Sequence, residues 1–410
     1  MKNTCKCIVK TSAFTFILFF FPVMLWAYDF DLGLNFYNGY GNLNIEENEY
    51  DFKIGIVPRF FLLIDGSSEV VATAGLTFDP DNIFVPELLH TEYSRRFGNY
   101  SLRLGRFIYS DPLSFIFEGL FDGAQFSNVS PIGIFNVGVW YTGLIYKNTT
   151  IIEMTRDDFI NCNTPLDYSD FFNTYSASKR FVFSAGWEHP SLAEFMQLNT
   201  AFITQFDLND YDEQYNSQYL IFKGRIPVNN FTYEFGGSIE SIARKTDGSS
   251  EPMEIALAAE VGLLWLFPGE YDSRLSANFK IAGGGSDGFM DAFVPITSKY
   301  YGFILKHRMA GISILSLNYS TRLSRVLGGS LDASYFVRND LGTFTGYPLI
   351  TDNDSEKHFL GPEFSGRLIW SPVSDIQFNL GGGLFIPALG NAEPDQKIKW
   401  RVDLTAIFAF

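Results

Sequence analysis

The sequence predicts an all-β chain, a transmembrane antiparallel up-and-down β-barrel of about eighteen strands, with sixteen also compatible. Three observations lead there. Segment after segment alternates apolar and polar residues with period two, the connections between them alternate between long polar loops and tight turns, and after the amino-terminal leader, itself too short for an anchor, no apolar run is long enough for a spanning helix. Eighteen segments give seventeen connections, and their alternation in length puts both chain ends on the tight-turn side.

The amino end supplies the compartment. Lys2, Lys6 and Lys10 precede an apolar run from Ala13 to Trp26 that reaches a small residue at Ala27. This pattern predicts a cleaved secretory signal over 1–27 and a barrel over 28–410. Cys5 and Cys7 fall in the leader, leaving Cys162 alone in the mature chain, so an internal disulfide or a cysteine metal cluster is excluded. Without the three leader lysines the chain carries a net charge of about −19, which argues against nucleic acid. Aromatics make up 17% of the sequence while mean hydropathy is near neutral, a balance that suits strands with one oily and one wet face.

Taken in order, Phe30, Leu32, Leu34 and Phe36 share one face opposite Asp31, Gly33 and Asn35, and no plug-sized domain precedes them. An acidic loop with Glu46, Glu47 and Glu49 leads to a strand from Tyr50 to about Phe60 and a third near Val70 to Phe78. The fourth, near Leu88 to Phe97, turns at Gly98 and Asn99 into the fifth, where Leu102 and Leu104 oppose Ser101 and Arg103. Strands six and seven are expected near 121–127 and 132–147, followed by a loop of about thirty residues carrying Cys162. Strands eight to eighteen are expected near 180–188, 195–208, 218–226, 231–243, 253–266, 274–282, 311–323, 327–338, 360–370, 376–385 and 397–410. Tyr93, Trp140, Tyr141, Trp187, Trp265, Trp370 and Trp400, near strand ends, are expected to form interfacial girdles.

The last segment, KWRVDLTAIFAF, places Trp400, Val402, Leu404, Ala406, Phe408 and Phe410 on one parity and Arg401, Asp403 and Thr405 on the other. It resembles the last strand of bacterial outer-membrane β-barrels, and the resemblance implies that Phe410, Phe408, Leu404 and Val402 form a signal read by the barrel-assembly machinery. A second stretch, GRFIYSDPLSFIFEGLFDG from Gly105 to Gly123, resembles the region of porins where a strand ends in Gly-Arg and the next opens with Asp-Gly. In that family the third long loop often folds inward, so the stretch from Ile108 to Leu120 is the expected constriction. Strict alternation sets Arg106 on the oily side unless Gly105 carries a bulge or Arg106 already stands at the rim, and both readings stay open.

The parity opposite the oily one carries nearly equal numbers of bases and acids, so the negative surplus belongs to the loops. Such a lumen is expected to hold water and to set a transverse field across it. Candidate pore-lining or constriction residues are Arg103, Arg106, Glu118, Asp122, Arg180, Glu234, Arg274, Asp332, Arg367 and Arg401. The bland reading of each is a salt bridge that stiffens the wall; inward aromatics such as Tyr219, Phe336 and Phe385 are expected to fill space. His90, His189, His307 and His358 are scattered, with no metal doublet, nucleophile elbow or phosphate-binding loop. No catalytic residue, metal or cofactor is assigned. The function implied is passive diffusion of small hydrophilic solutes across the outer membrane, with lipid around the barrel and both mature termini periplasmic. Alternatives are a surface adhesin or receptor using the long loops, and a transporter of lipophilic compounds. The porin resemblance implies a homotrimer, although no interface is legible in the sequence.

Overall fold

Period-two alternation is realised as a single closed sheet. A computed structural model describes residues 29–43, 49–79, 84–211, 213–246, 249–269, 271–285, 292–340, 357–392 and 395–410. The expected leader and the acidic residues Glu46 and Glu47 lie outside them, as does most of the loop around 341–356. Eighteen strands make the wall: β1 (Asp29–Asn42), β2 (Glu49–Asp65), β3 (Ser68–Phe78), β4 (Val85–Phe97), β5 (Tyr100–Ser110), β6 (Glu118–Ser130), β7 (Gly133–Tyr141), β8 (Arg180–Leu192) and β9 (Met196–Asp207). They continue as β10 (Glu213–Val228), β11 (Phe231–Thr246), β12 (Glu254–Leu266), β13 (Arg274–Ala282), β14 (Ile312–Arg322), β15 (Leu327–Arg338), β16 (Phe359–Val373), β17 (Ile376–Phe385) and β18 (Lys399–Ala409).

Each strand pairs antiparallel with its sequence neighbours, and β18 pairs with β1 from Gly33↔Ala409 to Asn42↔Trp400. Leu32 and Phe410 exchange backbone hydrogen bonds of 2.9 Å at the end of that seam. Pairing of the first strand with the last removes the two terminal edges, which is what an oily sheet outside water needs.

The two faces separate as the alternation requires. Leu220 and Phe222 on β10, Leu257 and Val261 on β12, and Leu315 and Leu317 on β14 are exposed on the outside, while their neighbours Tyr219, Ile221 and Glu260 are buried inside. So broad an exposed apolar band is foreign to a soluble monomer. Connections at one end of the barrel are tight, for example 66–67, 98–99 and 374–375; those at the other include 142–179 and 283–311. We refer to these as the turn end and the loop end.

Several strands are longer than the alternation suggested: β2 extends to Asp65 and β6 spans Glu118–Ser130. Strand β7 is shorter, ending at Tyr141, because the chain leaves the wall at Thr142 to build an inward loop. Trp140 is also a correction. Instead of joining a girdle it is buried inside, its Nε1 donating to Ser184 Oγ at 2.9 Å, because it shares the inward parity of Gly138. Trp265 and Trp370 do stand on the exposed face.

Candidate constriction site

The β5–β6 hairpin is paired along its whole length, from Tyr100↔Asn128 to Ser110↔Glu118. Its connections to the wall are shorter. Pairing with β4 stops at Thr91↔Arg106, and pairing with β7 stops at Asp122↔Tyr141. Beyond these points residues 107–121 form a tongue that leans into the barrel. Two paired glycines permit the bend. Gly105 has φ +114, and a Cβ there would collide with the Thr91 carbonyl, as a Cβ on its partner Gly123 would with that of Val139.

The open question about Arg106 is settled by this divergence rather than by a bulge. Arg106 stands where β5 leaves β4, buried, with Nε and Nη2 on the Asp122 carboxylate at 2.8 and 2.7 Å. Its remaining donors reach the carbonyls of Leu88 at 2.8 Å and Leu144 at 3.0 Å. A bidentate pair with two further bonds to backbone carbonyls is a structural clamp.

The tip of the tongue, L3 (111–117), is wound around one side chain. The Asp111 carboxylate accepts the backbone N–H groups of Leu113, Ser114, Ile116 and Phe117 at 2.8–3.0 Å. Burial nevertheless pushes its pKa up, the four donors only partly offsetting the loss of water. Phe115 reaches β13, where Lys280 Nζ lies 5.2 Å from its ring, and Leu113 occupies the space a side chain on Gly236 of β11 would need. The third loop therefore crosses the bore, as the porin resemblance implied.

Two further loops join it, which sequence reasoning missed. L4 (142–179) carries helix α1 (Arg156–Asn163), capped by Thr155 and Asp158 in a reciprocal box. Lys147 Nζ closes the other end on the carbonyls of Asn161 and Thr164, at 2.8 and 2.6 Å. Asp158 also bonds Arg180 at 2.5 Å, and Arg180 bonds Asp207, all deeply buried. L7 (283–311) is described at 283–285 and from residue 292, and wall carboxylates hold it by its backbone. Glu363 accepts from the N–H groups of Phe303, Ile304 (3.0 Å) and Leu305 (2.8 Å), and Glu240 from that of Val294 (2.9 Å). Glu118 binds Lys299 of L7 at 2.7 Å, while Thr297 bonds the Glu118 backbone. Alternation places Glu240 and Glu363 on the inward parity, but nothing in their local sequence says that their partners are amides of a distant loop.

The three loops enclose a shared apolar core that includes Phe107, Phe117, Trp140, Ile152, Ile304 and Phe336. The loop-end half of the bore is packed, because inward aromatics bury more surface against loops than they could against water. Tyr219, Phe336 and Phe385 belong to this filling.

Charged rows occupy the rest of the wall. Arg103 forks onto Glu92 at 2.6 and 2.9 Å, Arg225 pairs with Glu234 at 2.8 Å, and Lys223 meets Glu260 at 2.7 Å. Arg401 spans Asp51 and Asp403, each at 2.7 Å. Arg274 donates to Ser320 Oγ at 2.6 Å, Asp332 accepts from Asn318, and Arg367 is exposed on the inward parity. Beneath the tongue lies a cavity of about 410 Å³ bordered by Arg103, Gln125, Glu188, Asn199, Lys223 and Arg225. A larger apolar groove of about 620 Å³ lies on the outer face, where Gly329, Gly366 and Gly382 stand among leucines.

The architecture has counterparts among solved structures. The outer membrane protein OpdK of Pseudomonas aeruginosa superposes with a TM-score of 0.59 at 12% identity, covering 93% of this chain and 98% of that one. The fold is that of the outer-membrane porins. OccAB2 of Acinetobacter baumannii matches with a TM-score of 0.61 at 8% identity, over 93% of this chain and 97% of its own. OccK2 (OpdF) of P. aeruginosa, solved in complex with glucuronate, gives 0.55 at 12% identity, over 93% and 95%. No family model and no curated protein matches the sequence.

Proposed function

We propose that this chain is an outer-membrane channel for passive diffusion of small hydrophilic solutes, sieving by size and by charge. One observation carries the reading: a closed wall, oily outside and charged inside, is narrowed at the loop end by three loops that fold inward. Covalent chemistry has no part in it. Selectivity comes from the width left by the loops and from the field of the paired rows, in which Arg103, Glu234, Arg225 and Arg401 act on passing solutes. Arg106, Asp122, Glu118 and Arg180 act indirectly, by fixing the loops that set the width. Because one structural neighbour was solved with glucuronate, a uronic acid is a suitable first solute.

The same reading includes removal of residues 1–27 on export, recognition of the last strand through Phe410, Phe408, Leu404 and Val402, and lipid against the apolar band. It also takes a homotrimer as its working assembly. Liposome swelling tests the channel. Vesicles holding the purified barrel should swell in isotonic glucuronate or a small neutral sugar, and more slowly as solute size grows. Swelling indistinguishable from that of empty vesicles for every solute would refute it.

A further inference from the structure

The tongue leaves a gap in the wall. Over residues 84–90, β4 has no strand on its β5 side, since the ladder ends at Thr91↔Arg106. L4 fills the opening, but the closure differs from every other seam. Successive carbonyls along that edge are capped by side chains: Phe84 by the Tyr168 hydroxyl, Pro86 by that of Tyr175 at 2.9 Å, and Leu88 by Arg106 at 2.8 Å. Thr149 adds a hydrogen bond to Glu87. Among the described residues no backbone–backbone hydrogen bond joins 84–90 to L4. Three hydroxyls and the Arg106 guanidinium, which bridges Leu88 to Leu144 of L4, hold this seam where ladders hold the rest, so it opens by side-chain rotation rather than by loss of a ladder.

What lies on either side is apolar. Inside are Val85, Tyr146 and Tyr175 in a small cluster of their own, with the large loop core behind. Outside, Leu76, Phe84 and Leu144 are exposed. At the seam itself the charged groups are Glu87 and the Arg106–Asp122 pair, and the rows around Arg225 and Glu234 sit elsewhere.

We propose that the seam between β4 and L4 is a lateral port, through which a single-chain amphiphile passes between the packed upper lumen and the surrounding lipid. The proposal rests on the membrane reading above and goes beyond it, because the route leaves the bore sideways and takes a different solute class. Swinging the Tyr168 and Tyr175 hydroxyls off their carbonyls frees the edge at Phe84 and Pro86 without unfolding a strand, while Arg106 keeps its hold at Leu88.

The test staples the seam. In a Cys162→Ser background, Glu87→Cys with Thr149→Cys locks L4 to β4 by a disulfide. Cells producing each form in place of their own porins are given a fluorescent medium-chain fatty acid and, separately, a small sugar. The port requires that oxidised staple lower fatty-acid uptake to that of cells lacking the protein, that reductant restore it, and that sugar uptake stay unchanged. Equal fatty-acid uptake by stapled and reduced barrels overturns the port while leaving the channel reading intact; loss of sugar uptake in the unstapled protein would instead indict the channel. If the staple fails to assemble, Tyr168→Phe with Tyr175→Phe decides: faster fatty-acid uptake supports the port, and an unchanged rate overturns it.

Discussion

At the scale of single residues, the constriction depends on groups whose surroundings leave no substitute. Gly105 combines φ +114 with a neighbouring carbonyl where a side chain would begin, so Gly105→Ala should cost about 1–3 kcal/mol in denaturant unfolding and straighten the tongue. Arg180 is sealed between Asp158 and Asp207. Truncating it to alanine strands two buried carboxylates, and a loss of about 3–5 kcal/mol is expected by the same measurement. His307 on L7 is buried beside Arg308 and Arg338, its Nε2 unpartnered, and burial holds its pKa down at about 4 against 6.5 for a free imidazole. The unfolded chain therefore binds the proton more readily. The neutral ring's stability is intact above pH 6.5 and drains away as pH falls toward 4, by up to about 3 kcal/mol. The thermal midpoint of His307→Leu should accordingly fall less over that interval than that of the unaltered protein.

Elements differ in how much of them the sequence disclosed. Strand positions were legible because a half-buried strand writes its two faces directly into alternate residues, as Phe30 to Phe36 and Val402 to Phe408 do. The inward third loop was legible through its Gly-Arg and Asp-Gly flanks, whose glycines prove to be the paired hinge. L4 and L7 were not. Their seating depends on contacts between residues far apart in the chain, such as Glu363 with the amides of 303–305 and Thr297 with Glu118, and no periodic pattern encodes such pairs. Trp140 was misplaced for the same reason, since the covering that buries it comes from loops. The L3 turn hangs on one carboxylate, so Asp111→Ala should release four amides and leave the tip open to protease cleavage, with the wall strands still resistant.

On the scale of the whole molecule, closure and constriction are separate achievements of one chain. The wall follows from alternation and from the pairing of β18 with β1; the narrowing follows from carboxylates that face inward and find loop backbone there. In the proposed reading the charged rows act on passing solutes, and the loops decide how much of the bore remains. Single-channel recording in a planar lipid bilayer tests this most directly, comparing the intact protein with one in which residues 112–117 are replaced by a short glycine linker. Discrete steps that grow when the tip is removed are predicted. An intact protein that inserts without conducting, and conducts no better after the tip is gone, would contradict the account.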